Sequence, residues 1–191
     1  MSVLRSLIII FVFCVLATTT WFVLIGKGTK INSQPALVGS MKKFIPVKKR
    51  PDPVSLTFFK DNNTTVALSE WRGKVVLLNF WATWCSPCIR EMPSIQKLSK
   101  LLSKESFAVL ALSQDIQGWS KIRPFIQKYQ LNDLPIYNDP KLSGAKKFAV
   151  KGLPTTILLD RDGRELGRLL GHAEWDSKEA IDLIKYHLSN Y

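Results

Sequence analysis

One segment, from Lys74 to Ser103, does most to constrain what this chain can fold into. Lys74–Trp81 (KVVLLNFW) is a near-continuous apolar run, the pattern of a central strand buried on both faces. Cys85-Ser86-Pro87-Cys88 follows after a short turn and opens a helix predicted to reach Ser103. Along that helix Ile89, Met92, Ile95, Leu98, Leu101 and Leu102 recur at three-to-four spacing, with lysines outside. A buried strand that turns directly into an amphipathic helix implies a layered α/β domain.

The remaining periodicity agrees. Ser55–Phe59 and Thr64–Leu68 flank Asp61-Asn62-Asn63 as a hairpin, and Leu68–Arg72 reads as a short helical turn ended by Gly73. Phe107–Leu112 is a second buried strand, and Trp119–Gln130 and Lys141–Val150 read as helices. Thr155–Asp160 and Glu165–Leu170, joined by Arg161-Asp162-Gly163, form a second hairpin before an amphipathic helix at Ser177–Leu188. The expected architecture is an α/β sandwich with a mixed central sheet and flanking helices.

The spacing of Cys85 and Cys88 suits redox exchange. Residues i and i+3 of a first helical turn lie ~5–6 Å apart, within the range a disulfide tolerates. Pro87 is acceptable there because the N–H it lacks has no partner in the first turn. The first cysteine caps the positive end of the helix dipole, which stabilises a thiolate, the attacking species in exchange. A zinc half-site is the main rival reading of C-x-x-C. It would need two further ligands, and His172 and His187, the domain's good candidates, do not have a usual ligand spacing. A purely structural disulfide would close too small a loop to constrain the unfolded chain much.

Composition narrows the function. At 191 residues, 46% hydrophobic and 22% charged, the chain has room for one domain with a self-sufficient core. Three cysteines cannot make a disulfide framework, because one is left over. The net charge of +12 suggests nucleic acid until it is located: residues 1–50 hold eight of the 27 basic residues and no acid. The rest carries 19 basic against 15 acidic residues, a net of only +4. No nucleic-acid partner is therefore expected.

The basic excess follows an apolar leader. Ser6–Ile25 is free of charge and about long enough to cross a hydrocarbon core of ~30 Å. It reads as an uncleaved signal anchor (residues 1–26) or as a cleavable signal peptide with its apolar stretch at Leu7–Ala17. The run resumes at Trp21–Ile25 after Thr18–Thr20, and Trp21 suits an interface, which favours the anchor. Cys14 lies inside this run and reads as a small apolar residue. Residues 27–53, rich in Gly, Pro and paired lysines, read as a basic linker without periodicity, leaving the folded domain at 54–191. Positive charge after the span would by itself keep the domain in the cytoplasm, but long folded domains translocate largely regardless of charge.

The segment NFWATWCSPCIREMP resembles the active site of thioredoxin-fold proteins of the TlpA/ResA type, membrane-anchored extracytoplasmic thiol-disulfide oxidoreductases. The resemblance extends through LSEWRGKVVLLNFWA and GLPTTILLDRDGRELGRLLG, and so covers most of 54–191. It implies a thioredoxin-like fold with an N-terminal β-hairpin and an inserted helix–strand element at about 118–137. It implies Cys85 as nucleophile, Cys88 as the resolving cysteine, and Pro154 as a cis-proline facing the pair. A cis bond there would turn the Leu153 backbone toward a substrate chain, with Trp84 beside it in substrate binding.

Glu91 lies one turn after Cys88 on the same helix face. It reads either as a surface acid near a helix N-terminus or, as the resemblance implies, as a proton relay to Cys88. Asn79 stands where cytoplasmic thioredoxins carry a buried Asp, a departure that makes Glu91 the better relay candidate. Pro93 should kink the helix, and Trp81 and Trp84 are expected to pack beside the site.

No cofactor or metal is expected. The resemblance implies a single-pass protein of the bacterial inner membrane with its domain in the periplasm. There it would reduce cysteine pairs of haem- or copper-binding envelope clients and so serve cytochrome assembly. Electrons would come from a membrane thiol carrier of the DsbD/CcdA kind, because the chain has no dinucleotide fingerprint and no third thiol in its domain. A disulfide-forming oxidant of the same fold and a non-catalytic copper chaperone are the alternatives.

Overall fold

The computed structural model describes residues 33–190. The strands along them are β1 (Phe44–Pro46), β2 (Thr57–Phe59), β3 (Thr65–Ala67), β4 (Val75–Trp81), β5 (Phe107–Ser113), β6 (Ile136–Asn138), β7 (Thr155–Leu159) and β8 (Glu165–Leu170). The helices are α1 (Ser86–Leu101), α2 (Trp119–Tyr129), α3 (Ser143–Lys147) and α4 (Lys178–Asn190), with 3-10 turns at Gly39–Met41 and Leu68–Trp71. The expected anchor at 1–26 lies outside the described residues; among those described, no helix is long and apolar enough to cross a membrane.

All eight strands form one mixed sheet in the order β1-β8-β7-β4-β5-β6-β2-β3. β4 pairs parallel to β5 and antiparallel to β7, which explains why all seven of its residues are buried. Alternation along β4 sorts its side chains between two cores. Val75, Leu77 and Trp81 join Met92, Ile95 and Leu98 of α1, Ile122 and Phe125 of α2, and Leu183 and Ile184 of α4. Val76, Leu78 and Phe80 join Phe58, Val66 and Phe148 on the other side. Asn79 has the parity of the first set and so faces α1. The fold is the thioredoxin-like α/β sandwich expected, with the hairpin β2–β3 and the inserted α2–β6 element in place.

Three local features differ from the sequence reading. The stretch read as a linker contributes the turn at Gly39–Met41 and strand β1, which pairs antiparallel with β8. Met41 and Phe44 of that stretch are core residues at 0% and 4% exposure. Strand β1 can lie this close because Gly167 faces it, where a Cβ would come within 2.5 Å of the Phe44 ring. The helix expected over Lys141–Val150 is only Ser143–Lys147, bounded by Leu142 (φ 56°) and Ala149 (φ 51°) in left-handed conformations that no helix continues through. α4 runs to Asn190, two residues past the expected end, a difference within normal fraying.

Candidate active site

Strand β4 delivers the chain to the site through the loop 82–85. Asp115, two residues past the end of β5, holds this loop: its carboxylate accepts from the Thr83 N–H (2.9 Å), the Thr83 hydroxyl (2.7 Å) and the Ser113 hydroxyl (2.7 Å). Cys85 is then the N-cap of α1, and its sulfur accepts from the Cys88 N–H at 3.3 Å. An N–H aimed at that sulfur, added to the helix dipole, favours a thiolate at Cys85. The two cysteines form a disulfide with Cα atoms 5.3 Å apart. Cys85 retains 6% exposure and Cys88 none.

Glu91 is not a surface acid. It is 0% exposed, in the turn of α1 that follows Cys88. Its carboxylate accepts from Asn79 Nδ2 on β4 at 2.8 Å and from the backbone N–H of Ala173 at 3.2 Å. Asn79 also donates to Thr156 Oγ1 of β7 at 2.9 Å. The loop holding Ala173 is fixed by a second bond, from the Trp175 N–H to Ser94 Oγ at 3.1 Å. Burial pushes the Glu91 carboxyl from 4.5 up to about 7, against the opposing pull of the bonds from Asn79 and Ala173. The Trp175 indole N–H also favours the carboxylate, although its approach falls short of hydrogen-bond geometry, and the charge of Glu174 adds slightly to the rise. A carboxyl poised near neutrality in a dry pocket can take up and return a proton.

Pro154 is buried and follows a cis peptide bond from Leu153 at the start of β7. Leu153 packs against both cores and lines a groove of about 570 Å³ with Trp84, Ile116, Leu142, Ala145 and Val150. Trp81 is packed as expected, fully buried against Phe125 with ring centroids 5.0 Å apart. Trp84 is not: it is 71% exposed, because its loop points it outward into the groove instead of under the sheet. The structure thus brings Cys85, Cys88 and Glu91 together on α1 and puts Trp84 and Leu153 on one groove.

Asp115, Ala173 and Ser94 were not singled out in the sequence, and only Asp115, at the end of a buried strand, carried a usable signal. Pro93 sits inside a continuous α1. Among the described residues no group of three or more His, Cys, Asp or Glu side chains is arranged to hold a metal ion.

The sequence model of a family described as Redoxin matches residues 42–182. The chain belongs to the redoxin family. This redoxin is similar to the thiol-disulfide oxidoreductase ResA of a Bacillus cereus strain, 32% identical over 117 residues, or 61% of this chain and 65% of that protein. ResA of Geobacillus thermodenitrificans is 34% identical over 119 residues, or 62% of this chain and 67% of that protein. In structure it is similar to a Chlorobium tepidum protein assigned provisionally as thiol:disulfide interchange protein DsbE, with a TM-score of 0.66 and 27% identity over 73% of this chain and 98% of the other.

Proposed function

We propose that this redoxin is a thiol-disulfide oxidoreductase anchored in the bacterial inner membrane by Ser6–Ile25, with its domain in the periplasm, and that it reduces cysteine pairs of envelope proteins. The observation that carries the reading is the asymmetry of the pair: Cys85 caps a helix and keeps 6% exposure, whereas Cys88 has none and lies one turn before a buried, near-neutral Glu91. Reduced Cys85, as the thiolate, attacks one sulfur of a client disulfide, and the client's other sulfur leaves as a thiolate that takes up a proton. Glu91 accepts the Cys88 proton, and the Cys88 thiolate attacks Cys85 Sγ. The client sulfur displaced from Cys85 leaves as a thiolate and takes up a proton as Glu91 releases the one it accepted, so the client departs as a dithiol carrying two electrons and the Cys85–Cys88 disulfide remains. Trp84, Leu153 and Pro154 hold the client strand during the exchange.

The ResA relatives support the chemistry by their names, and the resemblance to TlpA/ResA-type proteins supports haem- or copper-binding clients and cytochrome assembly. A membrane thiol carrier of the DsbD/CcdA kind recharges the pair, and confinement to one membrane raises the effective concentration of the two partners. Alkylation trapping in cells lacking that carrier tests the direction of electron flow. The pair should be found oxidised there; a pair that stays reduced would overturn the reductant role. Reduction of insulin by the purified protein tests turnover itself.

A further inference from the structure

The groove beside the cysteine pair combines two properties. Its mouth is apolar and open: Trp84 and Ile116 are 71% and 73% exposed on one side, facing Leu142, Ala145, Val150 and Leu153 in the same lining. Its rim is basic. Lys151 is in the lining, and Lys141 and Lys146 adjoin the lining residues Leu142 and Ala145; all three are exposed, within a stretch, 141–151, that has no acidic residue. The one carboxylate in the lining, Asp115, is 4% exposed and already engaged by Thr83 and Ser113.

We propose that this groove selects client strands with an apolar side chain and acidic residues beside the reacting cysteine. The inference rests on the exchange activity proposed above and narrows the substrate of that same site. Each property has a separate role. An apolar client side chain seated between Trp84 and Ile116 releases water from two large surfaces. Lysines at a rim steer an acidic strand and reject a basic one, through association rate more than through depth of binding.

The test uses the reduced full-length chain and peptides sharing one intramolecular disulfide. One carries Leu flanked by Glu beside the cysteine, a second Leu flanked by Lys, a third Ser flanked by Glu. Rates are expressed relative to each enzyme's rate with hydroxyethyl disulfide, a small neutral substrate. The acidic Leu peptide should exceed the basic one in kcat/KM by about tenfold at low salt, and the gap should narrow at high salt. It should exceed the Ser peptide by about tenfold as well. The triple variant K141E/K146E/K151E should reverse the charge order.

Equal kcat/KM for the acidic and basic peptides, or an order unchanged in the triple variant, would overturn the selection. Failure to turn over hydroxyethyl disulfide would instead overturn the exchange activity. In that case calorimetric titration with Cys-to-Ser versions of the same peptides still reads the groove: the same order supports the selection and equal affinities refute it.

Discussion

The side-chain amide of Asn79 reaches Glu91 on α1 at 2.8 Å and Thr156 on β7 at 2.9 Å. A single residue in the middle of β4 thereby joins the helix that Cys85 caps and that carries Cys88 to the strand that begins just after Pro154. The bond has an electrostatic consequence too, because it is the largest influence holding the Glu91 carboxyl down against burial. Replacing Asn79 by Leu should therefore move the Glu91 midpoint above about 7. The carboxyl band of Glu91 in infrared titration reads this directly, and the pH profile of disulfide exchange should move up with it. A midpoint that does not move would show that Asn79 only fills space.

Glu91 also predicts how stability depends on pH. Below 4.5 it is protonated in both folded and unfolded chains; between 4.5 and about 7 only the folded protein retains the proton. Its contribution is thus fully present at low pH and is lost as pH rises through about 7, a change approaching about 3 kcal/mol. His187 acts in the opposite sense: burial, helped by the Arg50 charge, lowers it from 6.5 to about 4, so its contribution is present above 6.5 and lost as pH falls through about 4. Glu91→Gln should become more stable relative to wild type as pH is raised from 4 to 8, in urea denaturation at a series of pH values. The same variant should slow the second step of exchange, while Cys85 still forms mixed disulfides. Parallel stability curves would rule out a buried, titrating Glu91.

The two cysteines should behave differently when removed. With Cys85 exposed enough to react and Cys88 fully buried, Cys88→Ala should accumulate mixed disulfides between Cys85 and client proteins, stable on non-reducing gels. Cys85→Ala should accumulate none. The reverse pattern would exchange the two roles.

Asp115 offers a test away from the reacting sulfurs. Its three bonds to Thr83 and Ser113 hold the loop that aims Trp84 and Cys85. Asp115→Ala leaves those donors without a partner and should destabilise the domain by ~1–3 kcal/mol. It should also slow attack by Cys85 more than it slows resolution by Cys88. Stopped-flow measurement of the two steps separates these effects, and equal slowing of both would argue against a positioning role.

Much of this was legible in the residues. The apolar run of β4, the period of α1 and the turn residues of both hairpins are local patterns, and local patterns survive in a sequence. Glu91 was legible as a position but not as a buried group, because its burial depends on the loop 171–177 folding back over α1 from far along the chain. The same holds for β1. Phe44-Ile45-Pro46 is too short to show a period, and its place beside β8 depends on Gly167, whose missing side chain makes the room. Trp84 misled because tryptophan is usually packed; its exposure comes from the loop geometry that Asp115 imposes.

The docking of β1 on β8 bears on where this chain can be cut. A fragment begun at residue 54 would lack β1, leave β8 as an unpaired edge on the side away from β7, and uncover the apolar surface that Met41 and Phe44 now cover. A bare edge beside an apolar surface is a template for pairing with other chains. β1 blunts that edge itself: it is three residues long, ends in Pro46 and has Lys42, Lys43, Lys48 and Lys49 about it. A fragment that stays monomeric should begin no later than Gly39, where the turn that leads into β1 starts, because β1 serves this domain as a guard against self-association.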